Sequence, residues 1–242
     1  MQLPQTLSPS SVGQFLKCPY KWYCDKASYP QIKTDDSALL FGKAIHMIIE
    51  NYYTKIPEII TEKDIQKYLD ESLIESGGWI TDRFKTKTKK FYDNFTKHEK
   101  ERIKNNIPKP THIEVKYSIK LFEDLPKISG IIDSYNSKIG LVIDWKTGAD
   151  ATISNDQLIQ GKIYEMLLKS QKLPVKSIVF VYIVLGVSPT IPEVNDAFIY
   201  STLKNVCDAI SMDKFDPKPS GLCSWCGYQL RCHFKDVNGW LV

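Results

Sequence analysis

The chain has no long apolar run. Its longest, Ile178–Leu185, is eight residues, against the roughly 20 that a membrane-spanning helix needs. The opening residues, MQLPQTLSPSS, lack the basic start and greasy segment of a secretory leader. These absences predict a soluble, cytoplasmic protein with no membrane partner. Gly-x₄-Gly-Lys-[Ser/Thr] is also absent, so the sequence carries no recognisable nucleotide-driven motor and any such activity would come from a separate partner. Internal repeats and low-complexity tracts are missing too. So is a strong charge of either sign: 32 Lys and Arg against 28 Asp and Glu leave +4. That balance does not by itself demand a nucleic-acid partner, but it is compatible with one.

What is present is ordinary globular material, 242 residues of which 43% are hydrophobic. One sizeable core follows, and one domain with appendages rather than two independent ones. Ser8 followed by Pro9 reads as a helix start, with the helix running through Phe15, Leu16 and Trp22. Leu39–Tyr53, Asp64–Ile74 and Lys89–Lys104 also read as helices. The period then changes to two, with Ile113, Val115, Tyr117, Ile119 and Leu121 alternating with polar neighbours as in a half-buried strand. Ile128–Asp133, Leu141–Lys146 and Ser177–Leu185 supply further strands, with a helix over Asp156–Lys169 before the last. The prediction is an α/β fold, helices packed on a mixed sheet.

One stretch, GIIDSYNSKIGLVIDWKTG, sets two aspartates in apolar runs on either side of a polar turn. A hairpin centred between Lys138 and Ile139 pairs Asp133 with Asp144. Opposed positions hold Cβ atoms about 4.5–5.5 Å apart, where two carboxylates repel unless a positive charge lies between them. Lys146, two residues on along the same strand face, supplies one charge. A divalent cation would supply two more. An incidental Asp-x-Lys pair on a solvated face is the plain rival. Leu141, Val142 and Ile143 argue against it, because three apolar residues without alternation imply a strand covered on both faces. A carboxylate ending such a strand is desolvated, and needs a cation.

Gly130-Ile-Ile-Asp133 followed by Ile143-Asp144-Trp145-Lys146-Thr147-Gly148 resembles the second and third motifs of the RecB-like PD-(D/E)XK nucleases. Gly42-Lys-Ala-Ile-His46 fits that family's upstream histidine motif, and Gln160-Gly-Lys-Ile-Tyr164 with Leu167 and Leu168 fits its downstream helix. The resemblance spans Gly42–Leu168 in the family's order. It implies a restriction-endonuclease-like mixed sheet flanked by helices, with a core over about 39–186. It also implies Mg²⁺ or Mn²⁺ held by His46, Asp133, Asp144 and the Trp145 carbonyl. Lys146 would orient the attacking water and neutralise developing charge, and Gln160 and Tyr164 would contact DNA or that water. Glu114 is a weaker candidate for positioning the site. Asp144 stands where many relatives carry glutamate.

Cysteine is the second signal. Cys223-x-x-Cys226-x₅-Cys232 follows Pro217 and Pro219, and Cys18 at the other end of the chain would complete a set of four. This distribution resembles the iron–sulfur branch of the RecB-like nucleases, which includes the CRISPR-associated adaptation nucleases and the AddB-type recombination nucleases. The resemblance implies a [4Fe-4S] cluster joining segments of about 8–26 and 215–242. Closing so long a loop is worth roughly 5 kcal/mol of unfolded-chain entropy. Four thiolates also suit Zn²⁺, and spacing alone does not separate the two. Cys24 and Cys207 lie outside the pattern and read as buried thiols, with Cys24 a fallback ligand.

From Arg83 to Lys104 basic residues predominate, with aromatics interleaved. Lys87, Lys89, Lys90 and Tyr92 are candidates for contact with DNA. The rival is a solvated helix face, with Phe91 and Phe95 turned into the core. The combined expectation is a metal-dependent DNA nuclease, an exonuclease on single strands or ends, serving CRISPR adaptation, recombination or viral or host DNA processing. Its protein partners would come from those settings. The alternatives are a nuclease-like fold kept as a DNA-binding or protein-interaction subunit, and a zinc-binding regulatory protein.

Overall fold

The computed structural model describes residues 1–32, 35–75 and 84–232. Arg83, and residues 233–242 of the expected C-terminal cysteine segment, lie outside them. Among the described residues no helix is long and apolar enough to cross a membrane.

The chain opens with a short strand, β1 (Thr6–Leu7), and helix α1 (Pro9–Lys17). Ser8 caps α1 by accepting from Ser11 N, and Pro9 sits in its first turn. The single helix expected through Trp22 is in fact two. Cys18 is extended, and α2 (Pro19–Lys26) starts afresh, because a proline ring pushes the residue before it out of helical geometry. Three helices follow, α3 (Ser37–Lys55), α4 (Glu62–Glu75) and α5 (Lys85–Lys104). Then come β2 (His112–Ile119), β3 (Lys127–Asn136), β4 (Leu141–Lys146), α6 (Asn155–Ser170), β5 (Ser177–Tyr182) and α7 (Asp196–Ser211). β5 stops three residues short of expectation, at a turn in which Gly186 has φ +71°. Neither β1 nor α7 was expected.

The sheet is mixed, as predicted. β3 pairs antiparallel with β2 and β4 and parallel with β1, and β4 pairs parallel with β5. Ser134 pairs with both Ile113 and Ile143, so β2 and β4 lie on opposite edges of β3; Ile128, shared by Leu7 and Ile119, places β1 on the β4 edge. That edge is paired at residues 127–128 and 134–136 only. Between them β3 and β4 have no ladder, and there the sheet opens.

Two cores cover the sheet. Residues of α3, α4 and α5 bury Ile143, Trp145 and Val181 on one side, with Phe91 and Phe95 fully buried among them. On the other, α1, α6 and α7 pack together, and Tyr164 and Leu168 of α6 close a smaller cluster over Ile132 and Val142. Gly130 makes that close approach possible: a Cβ there would lie 2.9 Å from Leu167 Cδ1 and 3.3 Å from Tyr164 Cε1. Gly130→Ala is therefore expected to cost about 1–3 kcal/mol by overpacking. Thermal denaturation of the variant checks this, and an unchanged melting temperature would show that α6 yields freely.

The two ends of the chain meet. Tyr20 Oη donates to Arg231 O at 2.7 Å, Ile32 N to Gly227 O at 2.9 Å, and Phe215 stacks on Trp22 and Tyr23. Hydrogen bonds and aromatic packing thus already join the segments expected to be clasped by a cluster.

Candidate metal centre

The open edge of the sheet sets out three carboxylates in a row. Ser134 opposite Ile143 brings Asp133 opposite Asp144, the expected register. His112 opposite Tyr135 and Val115 opposite Ile132 bring Glu114 opposite Asp133 from the other side. Neither 114–133 nor 133–144 is itself a ladder pair among the described residues. Glu114 has φ +48°, a left-handed conformation that costs a non-glycine residue of order 1–3 kcal/mol and gathers at functional sites. Its consequence is a change of phase. Ile113 packs in the α3–α5 core while Val115, two residues on, packs under α6, and Ile132 and Tyr135, an odd number apart, share the α6 side.

His46 approaches from α3. Its Nδ1 lies 3.5 Å from Glu114 Oε1 and 3.5 Å from Asp133 Oδ2. Ligand atoms of His46, Glu114 and Asp133 all fall within 4.8 Å of one another. Gly42, one turn earlier, brings α3 against the end of β4, where a Cβ would lie 3.2 Å from Thr147 Oγ1. Asp133 Oδ2 also accepts from Trp145 N at 2.8 Å, so a side chain takes the place of the missing ladder bond.

Asp144, 2% exposed, belongs to a second, connected group. Its Oδ1 accepts from Gln160 Nε2 at 3.0 Å and Tyr164 Oη at 3.3 Å. Lys146 Nζ lies 2.7 Å from Asp144 Oδ2 and donates to Gln160 Oε1 at 2.9 Å. Gln160 thereby fixes the lysine and the aspartate together, with its amide orientation set by both. Although Lys146 is close, Asp144 Oδ2 is buried without an aligned hydrogen bond.

Charge is poorly balanced here. Burial, then the negative charge of Asp144, raises Asp133 to about 7, against the opposing pull of His46 and the Trp145 N–H. Burial disfavours protonated His46, but Glu114, Asp133 and Asp144 more than offset it and raise its pKa. Tyr164 is held well above its ordinary value by burial and by the charges of Asp144 and Asp133. A divalent cation fits this set: one imidazole and carboxylate oxygens at the open end, and three carboxylates close together with a pKa raised at Asp133. His46, Glu114 and Asp133 would hold it.

Of the expected residues, His46, Asp133, Asp144, Lys146, Gln160 and Tyr164 come together. Trp145 is present through its backbone N–H, its ring being buried in the α3–α5 core. Tyr164 is buried, so its place is in the network holding Asp144. Glu114, ranked low in the sequence, stands among the three metal-binding candidates. The signal that finds it is its pairing opposite Asp133, visible only once the β2–β3 register is known. Lys87, Lys89 and Lys90 are exposed on α5, with Lys87 Nζ over the Phe84 ring. Tyr92 Oη donates to Asp70. None of these four lines the two grooves that flank the centre.

Cys18, Cys223, Cys226 and Cys232 line one small cavity. Among the described residues, however, no three of their sulfurs converge within 4.8 Å of one another. Cys223 Sγ accepts from Ser220 N at 3.3 Å. Cys24 and Cys207 are buried, and burial pushes the Cys207 thiol up to about 11.

A mixed sheet opened at its carboxylates, with a lysine pinned beside them, is an arrangement suited to a divalent cation. The chain belongs to the PD-(D/E)XK nuclease superfamily, whose family model matches residues 6–233. Its fold is similar to that of an Eubacterium rectale protein named as a candidate exonuclease, with 14% identity, 100% of each chain covered and a TM-score of 0.54. SSO0001 shows 13% identity over 97% of this chain and 89% of its own, with a TM-score of 0.47. No curated protein matches the chain.

Proposed function

We propose that the protein is a divalent-metal-dependent DNA nuclease that hydrolyses phosphodiesters by in-line attack of water, acting on single strands or free ends. One observation carries this reading: the Asp144–Gln160–Lys146 network sits next to the His46–Glu114–Asp133 group, as hydrolysis of a phosphodiester requires. When bound, the ion supplies Lewis-acid polarisation of a phosphodiester oxygen. Lys146, held in place by Asp144 and Gln160, presents its ammonium to the attacking oxygen and to charge growing on the phosphate. Tyr164 and Trp145 N keep the two aspartates in position. A scaffold retained only for binding has no need to crowd three carboxylates around one histidine and one lysine, which weighs against the catalytically weak alternative.

Exonuclease action is favoured by the name of the Eubacterium rectale neighbour, and it has a direct test. End-labelled linear and circular single-stranded DNA are incubated with anaerobically purified protein in Mn²⁺, Mg²⁺ or chelator. Metal-dependent loss of the linear form alone is the expected result. Cleavage untouched by chelator, or no cleavage with either metal, would refute the reading.

At the cysteine cavity we infer a structural [4Fe-4S] cluster. A single zinc ion draws its four sulfurs to tetrahedral range of one point, whereas a four-iron cube holds them further apart. All four cysteines line one cavity, and the resemblance of their spacing to the iron–sulfur branch favours the cube. Iron and sulfide near four each per chain in a brown preparation is expected; a colourless protein carrying one zinc ion would exclude it. The same branch of nucleases suggests partners in CRISPR adaptation or recombination.

A further inference from the structure

We propose that the groove beside Lys146 carries a single nucleic-acid strand, with Lys21 and Lys218 holding its phosphates and Trp225 stacking on one of its bases. This rests on the nuclease reading of the centre. The groove, about 370 Å³, is lined by Lys146 and Gln160 from the centre, by α1 and α2, and by the segment around Cys223 and Cys226. Four lysines border it, Lys17, Lys21, Lys146 and Lys218, against one acid, Asp156. Lys17 pairs with Asp156 at 2.6 Å and Lys146 with Asp144. Lys218 donates only to a neutral carbonyl, Leu16 O at 2.9 Å, and Lys21 has no ion pair among the described residues. Two lysines without a carboxylate partner among the described residues therefore border both the cysteine cavity and a groove that opens on the metal centre, the arrangement that binds a phosphate backbone.

The opposite flank has a different character. There an open groove of about 530 Å³ holds Glu50 and Glu114 with Lys43 and His46, so the backbone's favoured approach is from the lysine side. Single-strandedness follows from size and from the rim. The lysine groove has the volume of a small-ligand pocket, enough for a nucleotide or so and far short of a duplex. Leu222 lines the groove and Trp225 follows between its lining residues Cys223 and Cys226; each is 67% exposed, although Trp22 and Trp145 are fully buried. An indole left in solvent next to a cationic groove offers a face on which an unpaired base stacks, and a paired base has no such face free.

The test is binding without turnover. A fluorescein-labelled oligothymidylate of about 15 nucleotides is titrated with the full chain in chelator, and anisotropy gives Kd as a function of salt. Lys21→Glu combined with Lys218→Glu is expected to raise Kd by about tenfold or more and to flatten the salt dependence by about one phosphate contact or more. Trp225→Ala is expected to raise Kd about five- to tenfold, and a blunt hairpin duplex to bind at least about tenfold more weakly than the single strand. Melting curves establish that each variant is folded, with Lys21→Gln and Lys218→Gln as milder replacements at the same positions. Unchanged Kd in the groove variants, equal weakening by Lys63→Glu with Lys120→Glu, or equal binding of the duplex would each overturn the proposal. The two readings fail separately. A wild-type chain that binds as described but cuts with no metal keeps the groove and loses the nuclease; one that cuts while the groove variants bind normally does the reverse.

Discussion

Asp133→Asn is expected to lower metal-dependent cleavage by about 10³-fold while making the metal-free protein more stable. The opposite signs come from one cause. Ionising Asp133 in a buried site beside Asp144 is costly, which is why its pKa stands at about 7 instead of 3.8. The folded protein therefore binds more protons than the unfolded chain between those values. Stability must fall as pH rises through that window, reaching its full loss above pH 7. The raised pKa of His46 acts in the same direction, its contribution being lost as pH rises through its folded value. A shift of this size corresponds to a few kcal/mol, of which an uncharged asparagine, still able to accept from Trp145 N, would recover about 1–2. Denaturation in chelator should show the variant gaining on the wild type from pH 5 to pH 8, by a few degrees in Tm. The activity loss follows from removing a metal-binding oxygen, and Lys146→Ala should match it through the lost cation. Wild-type cleavage by either variant, or a metal-free Asp133→Asn protein less stable than wild type at pH 8, would contradict this account.

The second large effect lies behind the centre. Glu99 is fully buried and accepts from Tyr52 Oη at 2.9 Å, Tyr53 Oη at 2.7 Å and Arg102 Nε and Nη2, both at 2.9 Å. Arg102 Nη1 continues to Ile107 O at 2.9 Å. These bonds tie α5 to α3, the helix that carries His46, and Tyr53 stacks against Trp145 with ring centroids 6.4 Å apart. Glu99→Ala leaves a guanidinium and two hydroxyls buried without their acceptor. The expected cost is about 3–5 kcal/mol, a fall in Tm of roughly 10–15 °C for a chain of this size. Glu99→Leu with Arg102→Met should lose much less, since removing both partners leaves no buried charge stranded. A melting series across the single and double variants decides it; a loss below about 1 kcal/mol for Glu99→Ala would show that water reaches Arg102.

The reach of the sequence differed from element to element. β4 was placed to the residue because its apolar run is bounded by Gly140 and Gly148, and the 133–144 pairing followed from the turn alone. α6 and α3 were found from periodicity and from the motif positions on them. The break at Cys18 was missed although Pro19 announced it, because the apolar pattern runs on across the proline. β1 was missed because two residues carry no period. α7 carries none of the motif positions, and its start is set by Asn195, whose side chain accepts from Ala197 N. The hydrogen bond from Tyr92 Oη to Asp70 on α4 joins two helices, a pairing that no local pattern contains. Glu114 was undervalued for a physical reason: its role depends on a left-handed backbone and on the β2–β3 register, both set by neighbours distant in sequence.

The sequence by itself determined that a strand pair must bring two acids together beside a lysine, because turn position and pleat alone set that pairing. Only the tertiary structure decided that the third carboxylate is Glu114 and that Gln160 pins Lys146 to Asp144. It also decided that two uncompensated lysines from opposite ends of the chain border one groove. These depend on which elements touch, and contact between distant segments is decided by packing of the whole chain rather than by any local period.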